Sequence, residues 1–142
     1  MTTKFSDKAE PHYLRAVQYE QHDRIEDAIR EFRMANRIKK DLIPARKRMG
    51  DLLVRLGRVE EAIQQYEKAV EITSQRRKWK RIYVPDEDKF SLIQILAVLA
   101  DAYDIAGQTT KAEAVRQKLL ATDPTHALDR EIQAQVNRQI DG

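Results

Sequence analysis

Residues 19–38 read YEQHDRIEDAIREFRMANRI, and residues 53–72 read LVRLGRVEEAIQQYEKAVEI. Aligned without gaps, Tyr19 falls on Leu53, Asp23 on Gly57, Ile25 on Val59, Ala28 on Ala62, Phe32 on Tyr66 and Ala35 on Ala69. The offset is 34 residues throughout. A third copy, YDIAGQTTKAEAVRQKLLATDP at 103–124, puts Tyr103, Gly107, Ala112 and Leu119 in the corresponding places. It follows the second by 50 residues, so 16 extra residues intervene. Self-similarity at a fixed period of this length marks a stacked array of one supersecondary unit.

Each copy divides into two apolar-periodic segments that meet at Asp23, Gly57 or Gly107. A glycine there suits a left-handed residue closing a helix. The segments run over about 10–22, 25–39, 43–56, 59–82, 87–106 and 109–121. Within them apolar residues recur three and four apart, as in Ile25, Ala28, Ile29, Phe32 and Ala35, which is helical spacing. Asp41 and Asp123 are read as helix N-caps. A seventh segment, 124–140, carries Leu128, Ile132, Val136 and Ile140 four apart. A terminal helix with one apolar and one polar face closes the end of such an array. The reading is an all-α solenoid of three helix-turn-helix repeats and a C-terminal capping helix. Residues 1–9 are expected to be a flexible N-terminus and 10–142 one domain. The repeats span about 10–42, 43–74 and 91–124, and the insert about 75–90.

Composition agrees with a helical protein of large solvated surface, since 42% of residues are apolar and 35% charged. No run approaches the roughly 20 apolar residues of a membrane span, and the first residues lack a signal-peptide pattern. These features predict a cytoplasmic protein that is not transmembrane. The absence of cysteine removes disulfides and thiolate chemistry. The net charge of +3 conceals a segregation: residues 30–81 carry 16 basic and 7 acidic side chains, and the segments on either side are net acidic. The middle third is where an anionic partner would be sought.

The 34-residue period, the helix-turn-helix unit and the run Met49-Gly50, Leu53, Gly57, Ala62, Tyr66 and Ala69 resemble the tetratricopeptide repeat. Pro124 stands where that family often has its closing proline. Arg116 departs from the pattern, at the place of the second-helix aromatic. His12 and Arg15 also depart, replacing large apolar residues in copy one. The resemblance implies that the first helix of each repeat lines a concave groove. Its candidate lining is Tyr13, Leu14, Val17 and Gln21 from copy one. Copy two offers Lys47, Arg48, Asp51, Val54 and Arg55, and copy three Gln94, Ala97, Val98, Asp101, Asp104 and Ile105. Such a groove would be apolar at one end, basic in the middle and acidic at the other, and would take a peptide of mixed character. Alternatively, Arg48 and Arg55 pair with Asp101 and Asp104. Some family members grip a C-terminal carboxylate with a lysine, asparagine and arginine clamp. Tyr13, Val17, Arg48, Gln94 and Val98 occupy those places, so binding of that kind is not expected.

Nothing points to catalysis. His12, His22 and His126 have no metal-ligand spacing, and no serine sits in a nucleophile motif. No glycine-rich loop could cradle a phosphate. Asp101 and Asp104 share a helix face, where a solvated or ion-paired role outweighs acid–base work. The expectation is a non-enzyme without cofactor or metal, acting as a protein-interaction adaptor with a protein partner. The insert carries Arg76, Arg77, Lys78, Trp79, Lys80 and Arg81. Two lengthened helices would form a projecting hairpin there, with Trp79 as cement. Three roles compete for these cations: a solvated face paired to Asp86, Glu87 and Asp88; a contact with an acidic protein or another copy in a homo-oligomer; or binding of nucleic acid or an anionic membrane.

Overall fold

The computed structural model describes residues 8–79, 86–122 and 124–141, and the side chains of these except at 76–79, 86–91, 124–131 and 141. Seven helices follow in order among the described residues: α1 (Ala9–Gln21), α2 (Ile25–Ile38), α3 (Ile43–Arg55), α4 (Val59–Trp79), α5 (Asp86–Ile105), α6 (Thr109–Thr122) and α7 (Pro124–Asp141). No strand occurs among them. Helices α1 and α2, α3 and α4, and α5 and α6 pack as antiparallel pairs, and each pair stacks on the next. No helix of the described residues is long and apolar enough to cross a membrane.

The three intra-repeat turns are built alike. Asp23, Gly57 and Gly107 have φ of 59°, 77° and 78°. In each turn the next residue's N–H reaches back five residues, from Arg24 to Tyr19 O, Arg58 to Leu53 O and Gln108 to Tyr103 O, all at 2.8 Å. This closes the carbonyls left open at a helix end. Glycine adopts the left-handed region without penalty, and aspartate is among the few other residues that visit it.

One apolar core runs through α1–α6. Ala28, Ala62 and Ala112 are fully buried at the helix-pair contacts, and Phe32 and Tyr66 fill the space beside them. A smaller cluster of Leu92, Leu96 and Leu119 joins α5 to α6. The positions that depart from the family pattern are compensated by polar pairing. His12 Nδ1 lies 2.7 Å from Glu31 Oε2, and Arg15 Nη1 lies 3.3 Å from the same oxygen. Burial pushes the Glu31 carboxyl up, but the His12 hydrogen bond and the Arg15 and His12 charges outweigh it and hold the group below its ordinary range.

Asp41 does not cap α3. The helix starts at Ile43 with Leu42 in the cap position and no side-chain cap bond, and Asp41 lies one residue too early. Its carbonyl instead accepts the Ile43 N–H at 2.9 Å. Residues 1–7, 80–85, 123 and 142 lie outside the described residues, as does the expected Asp123 cap. Helices α4 and α5, at 21 and 20 residues, exceed the 13 or 14 of α1, α2, α3 and α6. The expected hairpin tip and the side chains of Arg76, Arg77, Lys78, Trp79, Lys80 and Arg81 fall beyond the description.

Gly50 marks the closest approach inside the second repeat. A Cβ there would sit 2.5 Å from Tyr66 Cε1 and 2.8 Å from Cζ. The Tyr66 ring is buried and its hydroxyl is bonded to Asp51, so it has little freedom to yield. Gly50→Ala gains about 1 kcal/mol of helix propensity, against an overpacking cost of about 1–3 kcal/mol. We expect a net loss of about 1 kcal/mol, read as a lower urea midpoint. An unchanged or higher midpoint would mean that the ring can move aside.

Candidate functional site

The first helices of the repeats, α1, α3 and α5, enclose a cavity of about 400 Å³. Tyr13 and Glu20 come from α1, two turns apart on one face. Ile43, Pro44, Lys47, Arg48 and Asp51 come from α3, and Gln94 and Ile95 from α5. Stacking of the helix pairs brings these side chains together. Pro44 lies in the first turn of α3, where its missing N–H costs no helical hydrogen bond.

The charged walls are tied to one another. Lys47 Nζ lies 2.8 Å from Asp51 Oδ2. The Tyr66 hydroxyl donates to Asp51 Oδ1 from beneath. Burial pushes the Tyr66 phenol far up, and the hydrogen bond and charge of Asp51 add to it, with Asp101 also contributing. The phenol therefore stays protonated and remains a donor. Arg48 Nη1 reaches Glu20 Oε2 at 3.6 Å, while Glu20 Oε1 is buried with no partner among the described residues. Two carboxylates face two cations, so the middle of the groove is charge-balanced and not basic. The expected basic middle fails because Glu20 projects into it from α1.

The alternative pairing of Arg48 and Arg55 with Asp101 and Asp104 also does not form. Arg55 Nη2 instead lies 3.0 Å from Asp23 Oδ1, in the preceding repeat's turn. Arg116 from α6 takes both aspartates, bonding Asp104 closely and lying 3.7 Å from Asp101 Oδ1. Those partners raise the Arg116 guanidinium pKa, the Asp104 hydrogen bond most of all.

Of the predicted lining, Tyr13, Lys47, Arg48, Asp51 and Gln94 share the cavity. Leu14 stands 53% exposed on α1. Val17 and Val98 pack against the core. Arg55, Asp101 and Asp104 lie outside the cavity in their own ion pairs. The lining residues that sequence reasoning missed are Glu20, Ile43, Pro44 and Ile95. Glu20 was detectable as the residue seven after Tyr13 on the same helix face. No group of residues that could hold a metal ion occurs among the described residues.

The tetratricopeptide-repeat family model matches residues 48–76, which contain most of the second copy. Among solved structures, the N-terminal domain of stress-induced protein-1 (STI-1) from C. elegans is 14% identical, with a TM-score of 0.74 over 94% of this chain and 98% of that one. Two crystal structures of MamA are each 21% identical, with TM-scores of 0.66 and 0.67 over 84% of this chain. This chain spans 57% and 61% of those two chains. No curated protein sequence matches. Fold and comparisons define the class as a helical-repeat protein of tetratricopeptide type.

Tyr66→Phe tests how the groove wall is held. Phe32 occupies the same position in copy one, so the ring fits. Losing a hydrogen bond to a charged group should cost about 1.5–3 kcal/mol in a denaturant titration, with helix content retained. A cost below about 0.5 kcal/mol would mean that Lys47 alone fixes Asp51.

Proposed function

We propose that the protein is a non-catalytic adaptor that holds a segment of a partner protein in the groove of α1, α3 and α5. The observation that carries this reading is the three-helix cavity itself. Apolar surface from Ile43, Pro44 and Ile95 lies beside a few convergent polar groups there, as in sites that bind a ligand and fix its orientation. Its balanced charges favour a peptide of low net charge over a polyanion. The repeat class, whose members are commonly protein-interaction scaffolds, supports the same reading.

The test places a benzoylphenylalanine photocross-linker at Gln94 and, as control, at exposed Lys111 on α6. A discrete protein adduct from native extract should form from Gln94 only. It should fall about tenfold in an Arg48→Glu/Lys47→Glu variant, equivalent to about 1.4 kcal/mol. Adducts of equal yield from both positions, or none from Gln94, would overturn the groove reading.

A second reading, self-association, is favoured by α7. Its Ile132, Val136 and Ile140 are 49%, 42% and 75% exposed, so these apolar side chains are not covered by the described residues. Light scattering should then show a dimer mass that Val136→Glu returns to monomer. A monomer mass at all concentrations would end this reading.

A further inference from the structure

The opposite face of the first repeat carries a second cavity, of about 270 Å³. Arg30, Arg33 and Arg37 enter it from α2, and Arg58 from the turn before α4. Positions 30, 33 and 37 share one helix face by their spacing of three and four. Ile29, only 3% exposed, and Met34 supply apolar surface between the guanidinium groups.

Two of the four arginines are fixed by carboxylates. Arg30 Nη2 lies 2.8 Å from Asp27 Oδ1. Arg58 Nη2 donates to Glu61 Oε1 at 2.9 Å, and its Nη1 lies 3.5 Å from Glu26 Oε2. The other two have no carboxylate contact among the described residues. Arg37 Nη1 donates to the Met34 sulfur at 3.9 Å. Arg33 feels the Glu61 charge without an ion-pair contact. The positive excess of the cavity therefore falls on Arg33 and Arg37.

The repeat fold does not require these arginines. At the positions of Arg30, Arg33 and Arg37, copy two has Gln64, Glu67 and Glu71, and copy three has Ala114, Gln117 and Ala121. The same backbone thus accepts neutral or opposite charge. The cluster is particular to one repeat, and its guanidinium forks suit carboxylate oxygens.

We propose that this cavity docks an acidic amphipathic segment of a partner protein. Arg33 and Arg37 lie one helical turn apart, about 6 Å along the axis. They would pair with two carboxylates spaced one turn apart on the partner. An apolar side chain between those carboxylates would rest on Ile29 and Met34. The carboxylates of Glu26 and Glu61 favour such a discrete pattern over nucleic acid, whose continuous phosphate backbone they would repel. The site is independent of the groove between α1, α3 and α5.

The probe is a fluorescein-labelled helical peptide with glutamates three and four apart and leucines beside them, read by anisotropy. Controls are the same peptide with glutamine for glutamate, and single-stranded DNA of matched charge. Wild type should bind the acidic peptide at least tenfold more tightly than either control. Arg33→Gln/Arg37→Gln should weaken that binding about tenfold. Both residues are exposed, and circular dichroism would confirm an unchanged fold. Arg48→Ala, in the groove, should leave peptide binding unchanged. Three results would overturn the proposal: no binding of the acidic peptide, equal binding of the glutamine peptide, or an Arg33/Arg37 variant that binds as wild type. Tighter binding of the DNA, lost in the same variant, would make the site a nucleic-acid contact and overturn it as well.

Discussion

The fold depends on how closely the two helices of each repeat approach. In copy two a small residue on the first helix, Gly50, faces a large one on the second, Tyr66; the aligned pairs are Ala16 with Phe32 and Ala100 with Arg116. In copy two the fit is tightest, because a Cβ on Gly50 would collide with the ring. Close approach buries Ala28, Ala62 and Ala112 completely. The groove between α1, α3 and α5 exists because the second helices sit behind them and fill the space with side chains. Groove and packing are therefore consequences of the same size alternation.

A second aligned position shows how the three copies divide polarity. His12 pairs with Glu31 in copy one, and Arg46 Nη1 donates to Gln65 Oε1 at 3.2 Å in copy two. In copy three the same places hold Leu96 and Val115, which pack together in an apolar cluster. One backbone contact thus accommodates an ionisable pair, a charged–neutral pair and an apolar pair. The polar versions are tolerated because each buried donor or acceptor has its partner. Arg46 shows the cost of that arrangement: burial lowers its guanidinium pKa. It also bonds Lys40 O at 3.0 and 3.1 Å, which ties the loop between α2 and α3 to the core.

The helices were legible because their signals are local. Apolar spacing and the Asp23, Gly57 and Gly107 turns lie within a few residues of the elements they define. The site was legible only in part, because it is a meeting of three helices distant in sequence. The resemblance to the tetratricopeptide repeat implied inward faces for Tyr13, Lys47, Arg48, Asp51 and Gln94, and the cavity holds them. It could not decide which opposite charges would meet, since that depends on how repeats stack. Arg48 and Arg55 pair back to the preceding repeat, with Glu20 and Asp23, and not forward to Asp101 and Asp104. The row of Arg30, Arg33 and Arg37 was hidden for a related reason. Its charge was counted in the basic middle third, but only the fold places Arg58 across from it.

The departure at Arg116 has a consequence for Asp101 and Asp104, which lie outside the cavity. Asp51 and Asp101 occupy the same place in copies two and three, and Tyr66 and Arg116 the places that face them. In copy two a buried phenol donates to the aspartate and leaves the neighbouring Val54 apolar. In copy three the aligned residue to Val54 is Asp104, and a guanidinium bridges both carboxylates. A phenol has one donor and no charge, so it could not serve two aspartates, whereas arginine presents several donors and a fixed positive charge. Asp104 and Arg116 therefore make sense only together. Any other cation approaching Asp101 or Asp104 would have to compete with Arg116.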